Sequence, residues 1–129
     1  MTRMASVLTA AFGLFALAAC GGGSSTPGTA PATADLAVRA KDGLQWNASS
    51  YSATAADGSF VLFAVNDSAL AHNLHIQDAD GKDLITAIDL PSKGSDETLE
   101  VQLEPGTYRI VCTIPGHSAT MNATLTVTA

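Results

Sequence analysis

Sulfur and positive charge are both scarce in this sequence. It has two cysteines, Cys20 and Cys112, and three methionines, Met1, Met4 and Met121. So few cysteines exclude a disulfide framework and a structural zinc site of the multi-cysteine kind. Lys and Arg number six against 12 Asp and Glu, a formal charge of −6, which argues against nucleic acid as a partner. The one long apolar run, Ala5 to Ala19, is too short for a comfortable transmembrane helix. No segment shows a helix period and no internal repeat is visible. A phosphate-binding loop and a serine–histidine–acid arrangement are also missing, so nothing points to the common enzyme classes.

The apolar run has a different reading. Arg3 precedes it and LAAC, residues 17–20, closes it. This is the plan of an export signal, and small residues before a cysteine resemble the lipobox of bacterial lipoproteins. The resemblance implies a signal peptide over 1–19 and a lipid on Cys20. Residues 21–34, GGGSSTPGTAPATA, carry no charge and no large apolar side chain, so they read as a flexible tether. Its root-mean-square reach is on the order of 20 Å. One acyl chain holds a protein weakly, whereas several anchor it stably. The expected location is the bacterial cell envelope, periplasmic or on the cell surface. Gly21 lacks the aspartate that marks inner-membrane retention in Gram-negative lipoproteins, which favours the outer membrane there.

Residues 35–129 suit a single domain with one modest core. With Arg3 removed, 12 acidic residues face five basic ones, a formal charge of −7. The patterning is β throughout. SFVLFAVN (59–66) is apolar on both alternating faces, as expected of a strand buried on two sides. ETLEVQL (97–103), TYRIVC (107–112) and ATLTVTA (123–129) alternate as half-buried strands. LAVRA (36–40), LQWNA (44–48), YSATA (51–55) and DLITAIDL (83–90) are further candidates. Turn signals at Asp42-Gly43, Asp57-Gly58, Asp80-Gly81 and Pro105-Gly106 separate them. Seven or eight short strands so punctuated predict an all-β antiparallel sandwich or barrel.

Against this frame CTIPGHSATM (112–121) stands out. In the exported chain Cys112 is the only free cysteine and Met121 the only methionine, and His117 lies between them. Cys112 closes a strand on the face of Tyr108 and Ile110, Pro115-Gly116 turns the chain, and Met121 opens the last strand. Thiolate, imidazole and thioether are soft to borderline ligands that select copper over magnesium or calcium. The set lacks one imidazole for a two-histidine, one-cysteine site with a weak axial methionine. His72 in AHNLHIQ is the candidate, because it shares a strand face with Leu74 and Ile76. His75 falls on the opposite face and reads as an ordinary surface or hydrogen-bonded histidine.

AHN at 71–73 followed by CTIPGHSATM resembles the cupredoxins, the type 1 blue copper proteins. The loop is most similar to azurins. VLFAVND, PGTYRIVC and MNATLTV extend the resemblance over roughly 35–129. It implies a Greek-key β-sandwich of about eight strands and one copper ion, Cu(I)/Cu(II), held by His72, Cys112, His117 and Met121. It further implies that Cys112 gives the blue colour, that His117 has an edge near the surface, and that Met121 is the weak axial ligand. Asn73 resembles the asparagine that pins the ligand loop, and the N–H groups of Asn73 and Ile114 are expected at the Cys112 sulfur. The chain departs from azurins in having Ala71 where they have glycine, in lacking their disulfide, and in a shorter interval between His72 and Cys112. It is thus more similar to plastocyanin-type proteins with an azurin-like loop, without a helical flap.

Four protein ligands leave no open position for a substrate, so the expectation is an electron carrier and not an enzyme. Leu70, Ile114, Pro115 and Ala119 are expected to form an apolar patch for transient redox partners. The chain is expected to be a monomer with no nucleic-acid partner, joined to the membrane by its lipid. Two alternatives remain: an envelope copper carrier or scavenger, which the single methionine and buried thiolate disfavour, and a metal-free domain of the same fold, which the complete ligand set disfavours.

Overall fold

A computed structural model describes residues 28–129. The expected signal peptide, Cys20 and the linker through Pro27 lie outside the described residues. Nine strands follow in order: β1 Leu36–Lys41, β2 Gln45–Trp46, β3 Ser50–Thr54, β4 Ser59–Asn66, β5 His72–Gln77, β6 Ile88–Leu90, β7 Asp96–Gln102, β8 Gly106–Val111 and β9 Asn122–Thr128. Among the described residues there is no helix. The strands form two sheets, β2-β1-β4-β7 and β3-β9-β8-β5-β6.

Alternation does what it predicts. In β9 every second residue, Ala123, Leu125 and Val127, is buried, and the intervening positions are exposed. These meet Leu36, Val38 and Ala40 of β1 and Phe60, Leu62 and Ala64 of β4 in one core, to which Leu74, Ile76, Ile110 and Val101 also contribute. Full burial of each large side chain stabilises the fold by about 1.5–3 kcal/mol before entropy is counted. Asp57 and Gly58 both have positive φ, 53° and 84°. That is the two-residue turn that an Asp-Gly pair favours, and the Ser59 N–H donates to the Ala56 carbonyl across it at 3.1 Å.

Three expectations change. The sandwich is not purely antiparallel: β1 pairs parallel to β4, and β3 parallel to β9. After β2 the chain crosses to the other sheet as β3 and returns as β4, so β4 runs in the direction of β1. Two of the nine strands are short, and of DLITAIDL only Ile88–Leu90 is a strand. Asp83 bridges Gln77 while Ile88 pairs with Leu74. The return path is longer than its partner, and the surplus residues bulge out. The third change concerns the tether. Gly28, well inside the segment read as flexible, is fixed to the domain: its carbonyl accepts from Arg39 Nη2 at 2.8 Å and its N–H donates to Asp96 Oδ2 at 3.0 Å. The Asp35 N–H donates to the Val61 carbonyl at 2.9 Å, and Asp35 Oδ2 accepts from the Val61 N–H at 2.8 Å. The segment thus lies beside Val65 on the outer face of β4.

The register brings functional loops together. His75 pairs with Val111, and Val111 with Asn122. The start of β5, the end of β8 and the start of β9 therefore share one end of the sandwich.

Candidate metal centre

His72 is the first residue of β5 and follows Leu74 and Ile76 inward; it is 2% exposed. Cys112 lies one residue beyond β8 and Met121 one residue before β9, not within strands as expected, and both are fully buried. Their backbones close the loop at its base, where the Cys112 N–H donates to the Met121 carbonyl at 3.0 Å. Between them the chain winds tightly. The His117 N–H donates to the Ile114 carbonyl at 2.9 Å, and the His117 carbonyl accepts from the N–H groups of Thr120 and Met121 at 3.2 and 2.9 Å. Gly116 adopts φ of +86° within this turn, a conformation that favours glycine. The Thr120 hydroxyl donates to the Leu44 carbonyl, tying the loop to the β1–β2 turn.

This winding returns the His117 ring over the sandwich end. Its Nδ1 lies 3.3 Å from His72 Nδ1 and 3.6 Å from Cys112 Sγ. One donor atom from each of His72, Cys112 and His117 falls within 4.8 Å of the others. The rings are tilted by 57°, so their edges converge and they do not stack. Burial, reinforced by the nearby His117, holds the His72 imidazole below its ordinary pKa, with Asp42 opposing. The shift favours the neutral imidazole, the form that binds a metal. Two imidazole nitrogens and a thiol converging in a buried position, with no carboxylate among them, fit a soft or borderline metal such as copper.

Asn73 joins β5 to the loop. Its Oδ1 accepts from the Thr113 N–H at 2.7 Å, and its Nδ2 donates to Thr113 Oγ1 at 3.0 Å. Ile114 contributes through its carbonyl and by packing its half-buried side chain on the core. His75, on the other face, sits 3.0 Å from Thr113 Oγ1 and 3.1 Å from Asp83 Oδ1, away from the donor cluster. Leu70, Pro115 and Ala119 are exposed on the surrounding loops, and His117 is half-buried between them.

Sequence reasoning missed Ser68. Its Oγ lies 2.6 Å from His72 Nε2, and the residue is 1% exposed. Asn66, two residues earlier, holds it: its Oδ1 accepts from the Ser68 N–H at 2.8 Å in a local asparagine turn, and nothing in the sequence marks either residue as buried.

Two solved structures share the fold. One is auracyanin A, a "blue" copper protein from the green thermophilic photosynthetic bacterium Chloroflexus aurantiacus. It is 19% identical, with a TM-score of 0.58 over 70% of this chain and 95% of that one. The other is an azurin from the obligate methylotroph Methylomonas sp. strain J, 18% identical, with a TM-score of 0.60 over 76% of this chain and all of that one. No curated protein sequence matches significantly. The family model for copper binding proteins of the plastocyanin/azurin family matches residues 32–128, nearly the whole described domain. That match and the converging donors give the same answer: the chain belongs to the plastocyanin/azurin family of copper-binding proteins, and its cofactor is one copper ion.

Proposed function

We propose that this protein is a lipid-anchored carrier of single electrons in the bacterial cell envelope, and not an enzyme. His72, Cys112, His117 and Met121 hold the copper. The observation that carries this reading is the convergence of His72, Cys112 and His117 donor atoms within 4.8 Å, with only His117 partly exposed. Bound copper supplies a one-electron couple. The protein's part is to hold its donors still: the loop turns fix His117, the Cys112–Met121 backbone bond fixes both sulfur residues, and Asn73 fixes Thr113. A rigid donor set reorganises little between oxidation states. Burial of Cys112, Met121 and His72 keeps water and competing ligands out, which suits electron transfer better than the metal exchange of a copper carrier. The signal sequence and Cys20 support the anchored, envelope location, and the acidic surface supports a protein partner over nucleic acid.

The test is spectroscopic. The domain 28–129 is loaded with Cu(II), and visible and EPR spectra are recorded before and after reduction. An intense blue band that bleaches on one-electron reduction is expected, and Cys112→Ala should abolish it. A colourless or weakly coloured adduct, or a blue band that survives in Cys112→Ala, would refute the assignment. Transfer of copper to an acceptor apoprotein faster than electron exchange would instead favour the carrier role.

A further inference from the structure

We infer that Ser68 is a positioning residue for the copper ligand His72: its hydroxyl accepts the Nε2–H of that ring and so turns the bare Nδ1 toward the other donors. The inference rests on the proposed ligand role of His72. Its basis is a closed set of hydrogen bonds. Ser68 Oγ lies 2.6 Å from His72 Nε2. It also accepts from the Leu70 N–H at 3.1 Å and lies 3.2 Å from the Leu70 carbonyl. The hydroxyl has one proton, and the Leu70 carbonyl is placed to receive it. That leaves an oxygen lone pair for the ring, so Nε2 carries the ring proton. The opposite ring nitrogen, Nδ1, is the one that faces His117 Nδ1 at 3.3 Å.

Ser68 is itself held. Asn66 Oδ1 accepts its N–H at 2.8 Å, and Asn66 Nδ2 donates to the carbonyls of Leu70 at 2.7 Å and Leu90 at 3.0 Å. Leu90 is the pairing partner of His72 between β6 and β5. Asn66 and Ser68 therefore clamp the chain on both sides of the ligand. Both are buried, so water does not substitute for the hydroxyl without rearrangement. A partner that accepts the far N–H of a ligating imidazole raises its basicity and fixes its orientation, and losing it typically costs 10–100-fold in metal affinity. The more basic imidazole favours Cu(II) over Cu(I), because the more highly charged ion depends more on donation from nitrogen.

Two measurements on domain 28–129 test this. In the metal-free protein above pH 7.5, long-range proton–nitrogen spectra should show His72 as the Nε2–H tautomer, and Ser68→Ala should erase that preference. In the copper-loaded protein, Ser68→Ala should weaken Cu(II) relative to Cu(I) binding about tenfold, which raises the potential by about 59 mV. Ser68→Thr, which keeps the hydroxyl, should restore both readouts. A wild-type ring protonated on Nδ1, a tautomer unchanged in Ser68→Ala, or equal potential shifts in Ser68→Ala and Ser68→Thr would each overturn the inference. A wild-type domain that takes up no blue copper would refute the function proposed above, and the metal-free tautomer measurement would still decide the role of Ser68.

Discussion

Burial pushes the Tyr51 hydroxyl up to about 12, partly offset by the Ala48 N–H that donates to it. The hydroxyl donates in turn to Asn47 Oδ1 at 2.7 Å. A folded-state value above the unfolded one means that the folded chain keeps this proton longer. Its contribution to stability is complete below about pH 10 and is lost as pH rises from there toward 12, at about 1.4 kcal/mol per pH unit. Tyr51→Phe should remove that alkaline slope and cost about 1 kcal/mol at neutral pH through its lost hydrogen bonds. Urea unfolding of both proteins from pH 7 to 11.5 checks it, and an identical alkaline slope in Tyr51→Phe would assign the effect to another group. The site residues differ sharply in how legible they are in the sequence. Cys112 and His117 could be picked out because their donor types are rare in the chain, as could Met121, the proposed fourth donor, and His72 because it shares the phase of Leu74 and Ile76. Ser68 and Asn66 could not, because serine and asparagine are common at turns and nothing in their spacing shows that these two are buried. Thr113 is similar: its part in holding Asn73 and His75 depends on which strands pair.

Strand phase was legible and strand partnership was not. A period of two says which face of β4 is which, but it does not say that β1 lies parallel beside it. Both faces of β4 are apolar because Phe60, Leu62 and Ala64 meet the core, while Phe63 and Val65 are buried on the other side. Something must cover that outer side. The segment beginning at Gly28 is part of the cover, since a Cβ on Gly28 would lie 3.7 Å from a Val65 methyl. Composition alone marks residues 21–34 as a tether, because Gly, Ser, Thr, Pro and Ala bring no apolar bulk of their own. The partners that hold Gly28 belong to β1 and β7, far along the chain. A domain starting at Asp35 should therefore be less stable than one starting at Gly28. The loss of two hydrogen bonds to Arg39 and Asp96, with partial exposure of Val65, should cost about 1–3 kcal/mol. The measurement is the urea midpoint at matched m-value. Equal midpoints would mean that the segment rests on the sheet without contributing to it.

The two ends of the sandwich differ in what they offer a partner. The His72, Cys112 and His117 donors lie at one end, under loops carrying Leu70, Pro115 and Ala119. Leu70 is 53% exposed and is the one exposed large hydrophobic side chain among the described residues. Acidic groups also border this end: Asp42 Oδ1 accepts from the Ala69 N–H beside Leu70 at 3.1 Å, and the exposed Asp96 and Glu97 open β7 opposite Val65 and Ala64; the whole sequence carries a formal charge of −6. In the proposed electron carrier, an apolar rim around a half-buried histidine allows brief docking, with exclusion of water and without strong attraction. Leu70 is suited to a clean test because its backbone, not its side chain, is bonded to Asn66 and Ser68. Leu70→Glu should leave those bonds, the blue band and the potential in place. It should slow electron exchange with a protein partner at least tenfold, while reduction by a small neutral reductant proceeds at the wild-type rate. If docking is apolar, the wild-type rate should also depend weakly on ionic strength, in contrast to charge-steered association. Stopped-flow reduction by solubilised envelope fractions, followed at the blue band, measures both. An unchanged partner rate in Leu70→Glu would move the docking surface away from this end.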